Sequence, residues 1–131
     1  MATPLLTQTG MSEPRLPPAK DLRGAFLACL RAHEACEEAV THALRAGEPG
    51  DECIGALLDC ADVCRTTSRY IRHGSPLVRG TASVCAELCE RAVESCTALG
   101  KDGVLTACVE ACRRAAAWCH RLAEMPLERT A

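Results

Sequence analysis

Cys85-Ala86-Glu87-Leu88-Cys89-Glu90 decides the fold, because the chain repeats it. A second copy, Cys108-Val109-Glu110-Ala111-Cys112-Arg113, stands 23 residues on. The echo continues downstream: Ala92 is matched by Ala115, Cys96 by Cys119 and Leu99 by Leu122. Upstream, Cys60-Ala61-Asp62-Val63-Cys64-Arg65 is a third copy. The shared unit is Cys-x-acid-x-Cys-charged, usually with another Cys seven residues to one side. Steps of four and seven stay on one face of an α-helix. The acid two residues after the first Cys is turned about 200° away from it, toward water. The repeat therefore encodes helices that carry a stripe of thiols.

Working outward, the same period organises the rest of the chain. Helix 1 is expected over Ala19 to Ala46, ending at Gly47, a residue type suited to closing a helix. Its seam reads Leu22, Phe26, Cys29, His33, Cys36, Val40. After Gly47-Glu48-Pro49-Gly50, Asp51 is an N-cap candidate for helix 2, from about Glu52 to Arg72. That helix has the seam Cys53, Leu57, Cys60, Cys64, Thr67, Ile71. Ser75 followed by Pro76 reads as an N-cap with proline at the first helical position. Helix 3 then runs to about Ala98 with Val78, Ala82, Cys85, Cys89, Ala92, Cys96, Leu99 on its seam. Gly100 to Gly103 turns the chain into helix 4, whose seam is Leu105, Cys108, Cys112, Ala115, Cys119, Leu122.

Four helices of about 20 residues joined by short loops predict an all-α fold: an antiparallel up-down-up-down four-helix bundle. The alternating three-four step is that of left-handed knobs-into-holes contacts. All eleven cysteines fall on the seams, so the core is expected to be cysteine-lined. The predicted organisation is a Pro-rich flexible tail over 1–18, a metal-binding bundle over 19–125, and a C-terminal tail over 126–131.

Composition sharpens this. The 131 residues include one Phe, one Trp and one Tyr, so thiols take places that bulky side chains normally fill. A net charge of −2, with acids and bases interspersed, gives no sign of a nucleic-acid partner. No apolar run approaches a membrane span. The first ten residues have no basic residue and no long apolar stretch, unlike a secretory leader. The expectation is a cytoplasmic protein with reduced thiols.

A tube of thiols has few uses. Cys is a small hydrophobe and one or two in a seam need no further account, but eleven make a poor apolar core. Disulfides within the repeats are disfavoured: i,i+4 Cβ atoms lie about 5–6 Å apart, whereas a disulfide needs about 3.5–4.5 Å. Metal remains. Zinc and iron–sulfur sites often use Cys-x2-Cys on loops, and this chain has no such spacing. Soft thiolates in a His-poor interior favour Cu(I). A linear ion with bonds of about 2.2–2.3 Å would span roughly 4.5 Å between sulfurs, within reach of an i,i+4 pair. A monovalent ion also cancels one thiolate each, so many can be buried at near-neutrality, whereas Zn²⁺ on four thiolates leaves a buried −2. An iron–sulfur or zinc protein with an electron-transfer or regulatory role is the alternative.

Repeated Cys-x3-Cys on four helices, with thiols facing inward, resembles the bacterial copper storage proteins, and the likeness covers about residues 20–124. The resemblance implies a four-helix bundle holding multiple Cu(I) ions inside, usually as a homotetramer. The want of a leader resembles the cytosolic branch. It also implies copper homeostasis rather than catalysis, with a copper-delivering chaperone or a low-molecular-weight thiol as donor.

The expected metal ligands are Cys29, Cys36, Cys53, Cys60, Cys64, Cys85, Cys89, Cys96, Cys108, Cys112 and Cys119. His33, between two seam thiols, and His120, beside Cys119, join them. His42, His73 and Met125 lie near helix ends and read as surface residues. No enzyme activity is expected: there is no phosphate loop, no nucleophile–base dyad, and the acids Asp62, Glu87 and Glu110 point outward.

Overall fold

A computed structural model describes residues 17–47, 50–100 and 102–125. It contains α1 (Ala19–Ala46), α2 (Asp51–Arg72), α3 (Val78–Leu99) and α4 (Gly103–Glu124). The two expected tails lie almost wholly outside the described residues, as do Glu48, Pro49, Lys101 and Pro126.

Each helix packs on its two sequence neighbours, and α4 closes the ring on α1. Contacts at the two ends fix the antiparallel arrangement. Arg121, late in α4, reaches Asp21, early in α1, at 3.3 Å. Arg79, early in α3, donates to the Ala123 carbonyl at 2.9 Å. At the other end His42, late in α1, meets Asp102, just before α4, at 2.9 Å. This is the expected up-down-up-down bundle.

Local chemistry sets the helix limits. Gly47 closes α1 in the left-handed conformation (φ 80°), and its N–H donates to the Ala43 and Leu44 carbonyls. Two expected starts shift. Asp51 is the first residue of α2 rather than its cap; Gly50 precedes it and no side chain caps that end. Ser75 and Pro76 belong to a turn before α3, not to its first positions. The Ser75 hydroxyl accepts from the Leu77 N–H, and the Ser75 N–H donates to the Tyr70 carbonyl, tying the turn to α2. Asp102 caps α4 by accepting from the Leu105 N–H at 3.0 Å.

The inward face of α1 is shifted by one residue from the expected seam. Ala25, Ala32 and Ala39 are fully buried beside Cys29 and Cys36, while Phe26, His33 and Val40 are only half-buried. Cys29 and Cys36 are seven residues apart, so both frames contain them. The bundle axis is crowded by sulfurs from the other three helices, and only a methyl group fits between the α1 thiols. The seams of α2 and α4 are buried as expected, and that of α3 is buried up to Cys96; Leu99 is exposed. Ile71, Val78 and Leu122 fill one end of the core, and Leu105 lies at the other.

Candidate metal centre

The helical period delivers every thiol to the axis. All eleven cysteines are free and buried. Ten show no exposure; Cys53, early in α2, keeps 8%. Ten of the sulfurs, all but that of Cys53, form one connected string. Cys96 meets Cys108 at 3.8 Å. Cys36 meets Cys108 at 3.9 Å and Cys112 at 3.5 Å. Cys112 reaches Cys60 at 3.8 Å, and Cys60 reaches Cys89 at 3.6 Å. Cys64 lies 3.6 Å from both Cys85 and Cys89. Cys29 and Cys119 pair at 3.6 Å and form a compact group with Cys85.

Three groups have sulfurs close enough to share an ion: Cys29/Cys85/Cys119, Cys36/Cys60/Cys112 and Cys60/Cys64/Cys89. Within the repeats, the i,i+4 sulfurs are 3.9–4.0 Å apart. That is tighter than the roughly 4.5 Å span of a linear ion and matches the about 4.0 Å edge of three-coordinate planar geometry with bonds near 2.3 Å. Rotamers tilt the sulfurs together, which Cβ spacing does not reveal.

Protonation is divided among these thiols. Cys60 is drawn below the ordinary thiol range by Cys112, Cys36, Cys64 and Cys89, against the cost of burial. Cys85 is lowered by Cys119, Cys29, Cys64 and Cys89. Cys108 is lowered by Cys112, Cys36 and Cys96. Their neighbours move the other way: Cys36 is raised first by Cys108, Cys64 by Cys29, Cys89 by Cys60, Cys96 by Cys108, Cys112 by Cys108 and Cys119 by Cys29, with burial adding to each. Burial raises Cys53. A buried thiolate ringed by thiols is a soft anion awaiting a soft cation.

The two histidines stand apart from the thiols. His33 is half-buried, its Nδ1 2.8 Å from the Ala61 carbonyl and its Nε2 3.4 Å from Glu37. His120 is exposed and pairs with Glu90 at 2.9 Å. Neither joins a thiol group among the described residues. His33 follows from the shifted α1 face, and His120 lies about 100° round the helix from Cys119. What the sequence reading missed is the diagonal Cys60–Cys112 contact and the alanine stripe of α1. The recurrence of alanine at 25, 32 and 39 was the available signal.

The family model described as copper storage protein matches residues 19–124. The chain belongs to the copper storage protein family. Its four helices align with the Cu(I)-bound copper storage protein BsCsp3 at a TM-score of 0.70 and 25% identity, covering 79% of this chain and 98% of that one. The Nmul_A1745 protein from Nitrosospira multiformis aligns with a TM-score of 0.76 and 28% identity, covering 81% and 97%. Among curated relatives, an uncharacterized cysteine-rich protein of Bacillus subtilis (strain 168), YhjQ, is 29% identical over 77 residues. That match spans 55% of this chain and 66% of YhjQ, just under two thirds of the relative's length.

Proposed function

We propose that this protein stores and buffers multiple Cu(I) ions on the thiolates of its bundle interior, without catalysing a reaction. The observation that carries the reading is the unbroken string of buried sulfurs at 3.5–4.0 Å, running from Cys96 and Cys108 through Cys60 to Cys64 and Cys85. Such a string suits a monovalent soft ion, since each ion bound per thiolate leaves the interior close to neutral. The Cu(I)-bound state of the aligned BsCsp3 supports the same metal. The ligands are the eleven cysteines. His33 and His120 take supporting places outside the sulfur string. The protein works in the cytoplasm as a homotetramer, and receives copper from a chaperone or a low-molecular-weight thiol.

Anaerobic titration of the reduced protein with Cu(I) tests this. Uptake should approach one ion per thiol, with a colourless product. Saturation at one or two ions would overturn the storage reading, and a brown protein absorbing near 400 nm (about the region of thiolate-to-iron bands) would replace it with the iron–sulfur alternative.

A further inference from the structure

The thiols also divide into triangles, and triangles have a chemistry of their own. Cys60, Cys64 and Cys89 have all three edges short, at 3.9, 3.6 and 3.6 Å. Cys36, Cys108 and Cys112 form a second, with edges of 3.9, 3.5 and 4.0 Å. Cys29, Cys85 and Cys119 form a third, with Cys29 and Cys119 at 3.6 Å. These three share no sulfur. Together they use nine of the eleven cysteines and leave Cys53 and Cys96.

A trigonal-pyramidal centre with bonds of about 2.3 Å, taking zinc–thiolate bonds as the guide, and angles between a right angle and tetrahedral has edges of about 3.3–3.8 Å. The triangles already lie near that size. Charge then selects the oxidation state. A divalent ion on three thiolates leaves a buried −1 in a core with no buried cation among the described residues, which is costly. A trivalent ion on three thiolates is neutral.

We infer that the bundle interior is also a trap for trivalent arsenic, taken up as neutral As(OH)3 with one arsenic in each of the three thiol triangles. In each triangle three cysteine sulfurs react with one As(OH)3. Three As–O bonds break and three As–S bonds form. Each thiol proton leaves with a hydroxide as water, a sulfur that is already a thiolate displaces hydroxide itself, and arsenic stays As(III), so no oxidant or reductant is needed. The arsenic reagent and the product are both uncharged, so no net charge stays buried. This site holds whether or not copper is the physiological cargo.

The test uses the reduced, metal-free full chain under anaerobic conditions with sodium arsenite. Native mass spectrometry should show three arsenics per chain, each adding the mass of arsenic less three protons. X-ray absorption at the arsenic edge should show three sulfurs and no oxygen. The Cys89→Ala variant, checked for helicity by circular dichroism, should keep two such centres and hold any third arsenic with a residual As–OH. Two or fewer arsenics on the unaltered chain, or As–O bonds in its saturated state, overturns the inference, and neither measurement depends on the variant folding. A parallel Cu(I) titration separates the two readings: copper without arsenic sinks this one, arsenic without copper sinks the storage role.

Discussion

Cys60 on α2 and Cys112 on α4 stand on helices that are diagonal in the bundle, yet their sulfurs are 3.8 Å apart. The contact crosses the axis and joins the thiols of one half to those of the other. Cys60 belongs to two of the three close groups. Cys60→Ala should therefore lower Cu(I) capacity by more than the single equivalent that one lost thiol would remove. Removing one small buried side chain costs stability of order 1 kcal/mol, so the variant should stay folded. A loss of one equivalent or less in an anaerobic titration would mean that the thiols act independently.

Copper uptake should release protons unevenly. Cys36, Cys64, Cys89, Cys96, Cys112 and Cys119 are pushed above the ordinary thiol range, so they are protonated at neutral pH and must lose a proton to bind. Affinity at these thiols should fall about tenfold for each pH unit lost, one proton per ion. Cys60, Cys85 and Cys108 are held below the usual range and are already ionised. The first ions should settle around them with a shallower pH dependence. Chelator competition between about pH 6 and 8 measures both slopes; a flat profile for late ions contradicts the scheme.

The reduced apo-protein should be helical. Leu57, Ile71, Val78, Leu105 and Leu122 are buried independently of any metal, and alanines fill much of the space between the thiols. Cu(I) should then raise the melting temperature by mass action, since it binds the folded state. Circular dichroism decides: a random-coil apo spectrum that becomes helical only with copper would make metal binding the folding step.

Trp118 packs against Gly24, where a Cβ would come within 2.4 Å of a ring carbon. Arg121 stacks on the same ring at 5.8 Å. Gly24→Ala gains about 1 kcal/mol of helix propensity, but displacing the indole costs about 1–3 kcal/mol. A net loss of stability is expected, with a red-shifted emission from this single tryptophan. Combining it with Trp118→Leu should abolish the penalty. A more stable Gly24→Ala protein with unchanged emission would show that the ring moves freely.

The helices and the eleven inward thiols were legible in the sequence because cysteine repeats at three copies of the same spacing, and three helices admit only one frame. Helix 1 did not, since its two thiols are a heptad apart and fit either neighbouring frame. The choice between Phe26/His33/Val40 and Ala25/Ala32/Ala39 depends on how full the axis is, which is a property of the other three helices. Placing His33 among the thiols inherited that ambiguity. The triangular sulfur groups were not legible either, since they depend on side-chain rotamers and on which layers face each other.

The last prediction concerns where copper passes in. At the end formed by the start of α1 and the end of α2, the core is closed by Ile71, Val78 and Leu122, none more than 9% exposed. The Asp21–Arg121 pair and the Arg79–Ala123 hydrogen bond strap that end from outside. Phe26, on the expected α1 seam near this end, is only half-buried, but the remaining apolar side chains still offer no ligand. The opposite end presents Cys53, the one thiol with measurable exposure, with Cys96 and Cys108 deeper in. Ligand exchange from Cys53 to Cys108 and then to Cys36 moves an ion inward without releasing it to water. His120 and Met125 belong to the closed end, where His120 is held by Glu90. Stopped-flow Cu(I) uptake by Cys53→Ala with Cys108→Ala should therefore be slowed, while His120→Ala with Met125→Ala keeps the original rate. Slowing only in the second pair would place the mouth at the end capped by Ile71, Val78 and Leu122.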